Sequence, residues 1–266
     1  MIIDAHITQV NGDALKMLNG FSKSIAALVL CILTQGAYCA PQWYFTFGAG
    51  LELPNIPAHT TVNNNSLASP PYNNDTYSSN TNVNAALLLE IGKRWAIPAT
   101  GLQALSLGLQ YQHFLPADLG GRIMQYSSPE FINYRYRLDL EANILLLNAK
   151  IELFSWENLS PFINIGAGAA QLKTENYNEY PYQGITARTC ANFQDNTSYR
   201  LTYQAGAGIN WKLNQTMTAS INYLYQPLGP FTTKNGEGTW SNRKLNFGNA
   251  SSQSAFIAIT YMGMDK

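Results

Sequence analysis

Apolar and polar residues alternate with a period of two along most of this chain after residue 40. The longest uninterrupted case is 199–213, where the odd positions are apolar or aromatic and the even positions are polar or glycine. Successive side chains of a β-strand point to opposite faces, so this pattern predicts a strand with one apolar and one polar face. Strands of soluble domains are usually about 5–6 residues long. A tilted strand that crosses a bilayer needs roughly 9–11 residues, which 199–213 provides.

The same alternation predicts eight strands in all. They lie near 43–53, 83–95, 102–115, 132–153, 161–172, 198–213, 217–226 and 252–263. In the fourth, the apolar positions are even from Tyr134 to Leu140 and odd from Leu145 to Leu153. A change of phase within one strand is typical of a β-bulge, which we expect between Ala142 and Leu146.

The connections between the predicted strands alternate in length. The links 97–100, 155–160 and 214–216 are short, whereas others, such as 54–82 and 173–197, are long. Membrane barrels of the outer-membrane type have short periplasmic turns and long extracellular loops. The sequence therefore predicts an all-β fold, an eight-stranded antiparallel up-and-down transmembrane β-barrel with four long extracellular loops.

Aromatic residues cluster at both ends of the predicted strands, as the two interfacial girdles of a membrane barrel require. The predicted periplasmic girdle is Trp43, Trp95, Trp156, Trp211 and Tyr261, and the predicted outer girdle is Tyr111, Tyr134, Tyr199 and Tyr225. In this orientation Cys190 and the segment 63–80 lie outside the cell. The segment 63–80 is polar and low in complexity, and we expect it to be mobile.

Composition excludes several other classes of protein. Charged residues make up 12% of the chain, against about 25% in ordinary soluble domains. The formal net charge is +0, so the composition gives no electrostatic footprint for nucleic-acid binding. No apolar run is long enough for a transmembrane helix. Nothing in the sequence indicates a cofactor or a metal site.

The N-terminal region has the features of an export signal. The apolar segment 25–33 follows Lys23 and precedes small residues at a cleavage site. We expect 1–16 to be an over-long start or a polar extension, 17–39 to be a signal peptide, and 40–266 to be the barrel domain. Cleavage after Cys39 leaves Cys190 as the cysteine of the mature chain, so no disulfide framework is expected.

Charged residues at inward-facing positions are the candidate site. Unpaired charges inside a narrow barrel are costly, so we expect acids and bases to pair and to plug the lumen. The predicted lumen network consists of Glu52, Glu90, Arg94, Lys150, Glu152, Arg200 and Lys212. Three Gly-Ala-Gly repeats, at 48–50, 166–168 and 206–208, place glycines inward and leave space for these long side chains.

An enzyme is not expected. A hydrolytic or acyl-transfer site needs a histidine beside a nucleophile or a carboxylate. Of the histidines after the predicted cleavage site, His59 lies in a loop and His113 lies on the lipid-facing side with no serine next to it. No catalytic residue is predicted.

The alternating strands, the short and long links and the girdles together resemble the small eight-stranded outer-membrane barrels of Gram-negative bacteria. These are typified by the OmpA transmembrane domain and the opacity (Opa) surface proteins. The resemblance covers 41–266 and departs at the C-terminus, where Tyr261 is followed by Met-Gly-Met-Asp-Lys instead of ending the chain.

The resemblance implies an exported outer-membrane protein, monomeric and surrounded by outer-membrane lipid. Its role would be structural, or adhesion to a host or cell-surface protein through the extracellular loops. Tyr177, Tyr180, Tyr182 and Phe193, in the loop 173–197, suit such recognition. One alternative is a passage for small apolar molecules, as in OmpW-type barrels, and another is a lipid-modifying enzyme.

Overall fold

The computed structural model describes residues 41–99, 102–188 and 190–263. The predicted signal peptide and the segment before it lie outside the described residues. Eleven strands are present among these residues. They are β1 Gln42–Asn55, β2 His59–Asn63, β3 Asn74–Ser78, β4 Asn80–Thr81, β5 Asn84–Ala99, β6 Leu102–Met124, β7 Ile132–Glu152, β8 Leu159–Pro181, β9 Asn196–Lys212, β10 Met217–Asn235 and β11 Lys244–Met262. Three short 3₁₀ turns, Gln125–Ser127, Pro129–Phe131 and Gly238–Trp240, lie in the connections.

Eight long strands close into a barrel, as the alternation predicted. Each pairs antiparallel with its neighbours along the ring β1, β5, β6, β7, β8, β9, β10 and β11. The ring closes because β1 pairs with β5 on one side and with β11 on the other. Closure satisfies the backbone N–H and C=O groups without leaving an edge, which a lipid environment demands. No helix among the described residues is long and apolar enough to span a membrane.

The outward face of the barrel is apolar. Along β1, Trp43, Phe47 and Leu51 are more than half exposed, while the alternate Tyr44 and Glu52 are buried in the lumen. Exposed aromatic residues lie at both ends of this surface, so both girdles are present, and most of the residues predicted for them are exposed. They are Trp43, Trp156, Trp211 and Tyr261 on the side of the short turns, and Tyr111, Tyr199 and Tyr225 on the side of the long loops. The chain is therefore an outer-membrane-type β-barrel whose apolar wall faces lipid.

The predicted bulge at Ala142–Leu146 is wrong. Strand β7 alternates without interruption, with its even positions facing inward from Tyr134 to Glu152. Its pairing with β8 is continuous from Asp139 to Glu152. The apolar residues change sides because the polarity of the two faces reverses along the strand. Between Asn143 and the short turn that follows β7, the outward-facing residues are apolar. Between Asn143 and the start of β7, on the side of the long loops, the inward-facing residues are apolar.

This reversal also explains why the Tyr134 side chain faces inward. We predicted it in the outer girdle, but it is buried, with 4% of its surface exposed, inside the extracellular part of the barrel. The exposed neighbours on the outer face of β7 at this level are the charged residues Arg135 and Arg137. The register shifts of this region lie in the partner strands, between Phe114 and Ala117 of β6 and opposite Arg137–Asp139 in β8.

The long connections are largely ordered structure. Strands β6, β8, β10 and β11 continue beyond the predicted strand ends and form the wall of an extracellular head. The segment 63–80, expected to be mobile, includes β3 and the end of β2, and this hairpin is anchored to β6 by β3. Tyr77 of β3 is fully buried, which explains why the hairpin is fixed.

The orientation of the barrel can be tested with two introduced cysteines in a Cys190→Ser background. Leu67 is fully exposed at the tip of the β2–β3 hairpin, and Gln215 is exposed in a short link. We expect a membrane-impermeant maleimide to label Leu67→Cys in intact cells and Gln215→Cys only after the outer membrane is disrupted. The opposite labelling pattern would show that the barrel is inserted the other way.

Candidate functional site

The first part of the candidate site is the lumen, where one predicted ion pair forms. Arg94 of β5 and Glu152 of β7 meet near the periplasmic end in a two-point contact, Nε to Oε1 at 3.0 Å and Nη2 to Oε2 at 2.7 Å. Parallel N–H bonds from a guanidinium to a carboxylate fix the geometry of both groups. Arg94 and Glu152 therefore tie β5 to β7 over the intervening strand β6, on the inner face of the barrel.

Glu90 is held by neutral donors and not by the bases that we predicted. Its carboxylate accepts hydrogen bonds from the Tyr44 hydroxyl, from Gln110 Nε2 at 3.0 Å and from Asn148 Nδ2 at 3.2 Å. Gln204 Nε2 continues the network by donating to Gln110 Oε1 at 2.6 Å and to Asn148 Oδ1 at 2.8 Å. All five side chains are buried. A buried carboxylate that accepts several hydrogen bonds needs no directly contacting base.

Two more amides extend this network across the barrel. Gln112 Nε2 donates to Gln204 Oε1 at 2.8 Å, and Gln226 Nε2 donates to the same oxygen at 3.3 Å. The side chains come from β6, β9 and β10, so the amides reach from one wall of the lumen to the other. Sequence reasoning missed these residues because it searched for charges. Their signal was present as glutamine and asparagine at inward positions.

The remaining predicted charges do not join one network. Glu52 is buried between its cross-strand partners Asn84 and Ser254, among uncharged groups. The Lys150 ammonium lies 5.9 Å from the ring centre of Tyr44 and 5.1 Å from that of Phe162.

Arg200 and Lys212 lie at opposite ends of β9, and both are exposed. Lys212 and Arg94 line an open vestibule of about 350 Å³ at the periplasmic mouth. The predicted seven-residue network is thus replaced by one ion pair and by a set of amide side chains around Glu90, which we call the amide cluster. Its members are Gln110, Gln112, Asn148, Gln204 and Gln226.

Inward glycines make room for the lumen side chains, as expected from their positions. A Cβ at Gly108 would overlap the Tyr44 hydroxyl that bonds Glu90, and a Cβ at Gly208 would overlap the ring of Phe162. An eight-stranded interior is about wide enough to be filled by side chains. Because the glycines leave room for the rings of Tyr44 and Phe162 over neighbouring strands, these rings occupy space inside the lumen.

The second part of the candidate site is the extracellular head, which has an apolar core. Tyr136 packs edge-on against Tyr77 at 5.3 Å between ring centres and stacks with Phe247 at 6.4 Å. Phe193 packs edge-on against Tyr177 at 5.1 Å. These rings come from β3, β7, β8, β11 and the β8–β9 connection. Burial of such surface provides about 25 cal/mol per Å², which accounts for the order of the long connections.

Arg188, in the β8–β9 connection, links four parts of the head. Its guanidinium lies 4.9 Å from the ring of Tyr134 and 4.6 Å from the ring of Trp240. It also contacts the carboxylates of Asp75 at 3.4 Å and Glu179 at 3.3 Å. Desolvation lowers the pKa of Arg188, but the nearby carboxylates outweigh it and hold that pKa above its usual value. The cation therefore joins the first hairpin, β7, β8 and the β10–β11 connection.

The loop aromatics that we predicted for recognition have divided roles. Tyr177 and Phe193 are buried in the head core, whereas Tyr180 and Tyr182 are exposed. Burial raises the pKa of the Cys190 thiol, which packs against the head core. The thiolate is the reactive form of cysteine, so Cys190 is a poor probe of topology.

The two histidines that the structure describes lie in different strands, β2 and β6. His59 begins β2, and His113 Nδ1 lies 2.9 Å from Asn143 Oδ1 on the outer face of the barrel. Among the residues that the structure describes, no group of three or more His, Cys, Asp or Glu side chains could hold a metal ion.

Substitution of Glu90 tests the amide cluster. Glu90→Ala leaves the buried donors of Tyr44, Gln110 and Asn148 without their acceptor. Each unpaired group lowers the free energy of unfolding by about 1–3 kcal/mol. We expect the temperature at which the heat-modifiable folded band disappears on a gel to fall by at least about 6 °C, since three unpaired groups cost at least about 3 kcal/mol together. Glu90→Gln keeps one acceptor oxygen and should lose less. Glu157→Ala, at an exposed turn position, is the control. A Glu90→Ala protein as stable as wild type would contradict this account of the lumen.

Comparison with known proteins finds similarity at the level of solved structures. No family model matches the chain, and no curated protein sequence matches it. Neisserial surface protein A shares 9% identity over 82% of this chain and 96% of its own, with a TM-score of 0.40. OprG from Pseudomonas aeruginosa shares 12% over 86% and 99%, with a TM-score of 0.45. The outer-membrane protease OmpT from Escherichia coli shares 8% over 86% and 100%, with a TM-score of 0.46.

Proposed function

We propose that this protein is a non-conducting outer-membrane barrel that acts at the cell surface through its extracellular head. The observation that carries the proposal is the reversal of polarity along the strands. Below the reversal, the amide cluster around Glu90 fills the lumen. Above it, the apolar core closes the mouth with ordered structure. Because the barrel is closed at both levels, we propose that it acts through contacts on the outer surface of the head.

The tip of the β6–β7 connection supplies an exposed aromatic pair. Tyr126 and Phe131 are 42% and 43% exposed, and their rings pack edge-on at 5.8 Å between centres. Large aromatic side chains that are already held against each other lose little freedom on binding, which is why they anchor many interfaces. We propose that these two rings contact a protein on another cell or on a host surface. No histidine or metal centre enters this proposal, and we propose no enzymatic activity.

A passage for small apolar molecules is the second candidate, and one observation favours it. The β5–β6 ladder ends at Ala86–Phe114, and β6 shifts register before Ala117. A gap in the ladder is where a lateral opening would form. The cavity behind it has a volume of only about 10 Å³, no larger than one water molecule needs. A passage would require this wall to open, so the interaction role is the better supported.

Adherence of cells that display the protein tests the interaction role. We expect expression in a non-adherent strain to increase self-aggregation or attachment to epithelial monolayers several-fold. Tyr126→Ala combined with Phe131→Ala should abolish the increase, because it removes the anchoring rings. Phe154→Ala combined with Trp156→Ala, which removes two exposed aromatics on the periplasmic side, is the matched control. Equal adherence of the head variant and the wild type would contradict the proposal.

A further inference from the structure

Three arginines on the outer wall of the head are neighbours in the strand register. Arg122 of β6 lies directly opposite Arg135 of β7 in the register, and Arg137 follows two positions along β7. All three are exposed. Like charges directly opposite each other destabilise a sheet. Arg137 is paired, since its Nε donates to Asp118 Oδ1 at 2.9 Å. Among the described residues, neither Arg122 nor Arg135 has a carboxylate within ion-pair distance.

A hollow of about 410 Å³ is lined by Arg135 and Arg137. Arg122 is not part of the lining, but it lies next to the hollow, opposite Arg135 in the register. Gly120, which has no side chain, lies between Asn80 and Arg137 in the cross-strand register and is part of the lining. The lining also includes Asn82, Asp118, Arg135 and Tyr180. The Arg135 guanidinium lies 5.8 Å from the ring centre of Tyr180, which is 44% exposed.

These groups match an anionic saccharide. Guanidinium groups bind phosphate oxygens in a forked geometry. The amides of Asn80 and Asn82 and the carboxylate of Asp118 can exchange hydrogen bonds with hydroxyl groups. The exposed part of the Tyr180 ring offers an apolar face to a sugar ring. Asp118 is already bonded to Arg137, so it does not cancel the two unpaired arginines.

The position of the hollow indicates where the saccharide comes from. Arg135 and Leu145 are both on the outward face of β7, ten positions apart. At about 3.3 Å per residue and a tilt of about 40°, this places Arg135 roughly 25 Å beyond the lipid-facing Leu145. The headgroup layer of a phospholipid is about 5–8 Å thick, which is too thin to reach the hollow. The hollow also faces sideways, toward neighbouring molecules of the same membrane.

We propose that the hollow binds the phosphate-bearing saccharide of a glycolipid in the outer leaflet of the protein's own membrane. Phosphate would lie at the edge of the hollow, between Arg135 of the lining and Arg122 opposite it, and relieve the repulsion of their charges. This proposal rests on the head being the interacting part of the protein, and it names one ligand of that part. The ligand surface is the side wall, distinct from the tip that carries Tyr126 and Phe131.

Binding can be measured with the whole protein in phosphatidylcholine nanodiscs. The probes are a deacylated lipopolysaccharide saccharide with its phosphates and the same saccharide after enzymatic dephosphorylation. We expect the phosphorylated form to bind about tenfold more tightly, since charged pairs of this type contribute on the order of 1.4 kcal/mol or more. The charge variant, Arg122→Gln with Arg135→Gln, should lose this preference. Arg243→Gln with Lys244→Gln removes two exposed charges elsewhere on the head and should keep it.

Two further measurements separate a built site from general charge attraction. Gly120→Leu fills the hollow without a change of charge and should also weaken binding. The charge variant should be at least as heat-stable as wild type, because it removes a repulsive pair, so its loss of binding cannot result from misfolding. Equal binding of the two saccharides, or equal binding by the charge variant and wild type, would overturn the proposal.

The source of the ligand is tested by native mass spectrometry of protein extracted from its membrane. We expect glycolipid to remain bound to wild type and to be depleted from the charge variant. Binding of the free saccharide with no glycolipid retained by wild type would overturn the own-membrane source. These measurements involve no second cell, so their failure and a failure of the adherence test remain distinguishable.

Discussion

Closure of the hydrogen-bonded ring is the constraint on which the rest of this structure depends. In hydrocarbon, unpaired backbone groups find no water, so every strand must pair on both sides. Eight long strands meet that condition when β1 pairs with both β5 and β11. Once the ring is closed, alternate side chains are committed to lipid or to the lumen. The lumen of an eight-stranded ring is narrow, and the identities of its inward residues decide whether it is open or filled.

The polarity of the two faces is set by what surrounds each level of the barrel. Where lipid surrounds it, apolar residues such as Leu145 face out and the amide cluster faces in. Where water surrounds it, Arg135 and Arg137 face out, and Tyr136 and Leu138 face in. The same strand can serve both environments because its pleat continues unchanged while its sequence reverses. The consequence is a membrane segment with a polar plug and a head with an apolar core, in one continuous sheet.

The sequence was sufficient for the eight strands, the ring and most outward residues, because period-two alternation is a local signal. It was insufficient for the upper part of β7, where an apolar inside was mistaken for a shifted register near Ala142. It also could not show that Glu90 meets Gln110 and Asn148, since these come together only through the register of β5, β6 and β7. Arg188 was missed for a similar reason, because its partners lie far from it in the chain.

Ionic conductance measured in planar bilayers tests the central claim, a barrel filled by the amide cluster and closed by the head. Because side chains from facing walls bond across the lumen, the account predicts no steady current steps from the purified wild-type protein. A variant with Glu90, Gln110 and Gln204 all replaced by alanine should conduct more than wild type if it still forms the heat-modifiable barrel. Steady, porin-sized steps from the wild type would contradict the filled lumen and favour a transport role.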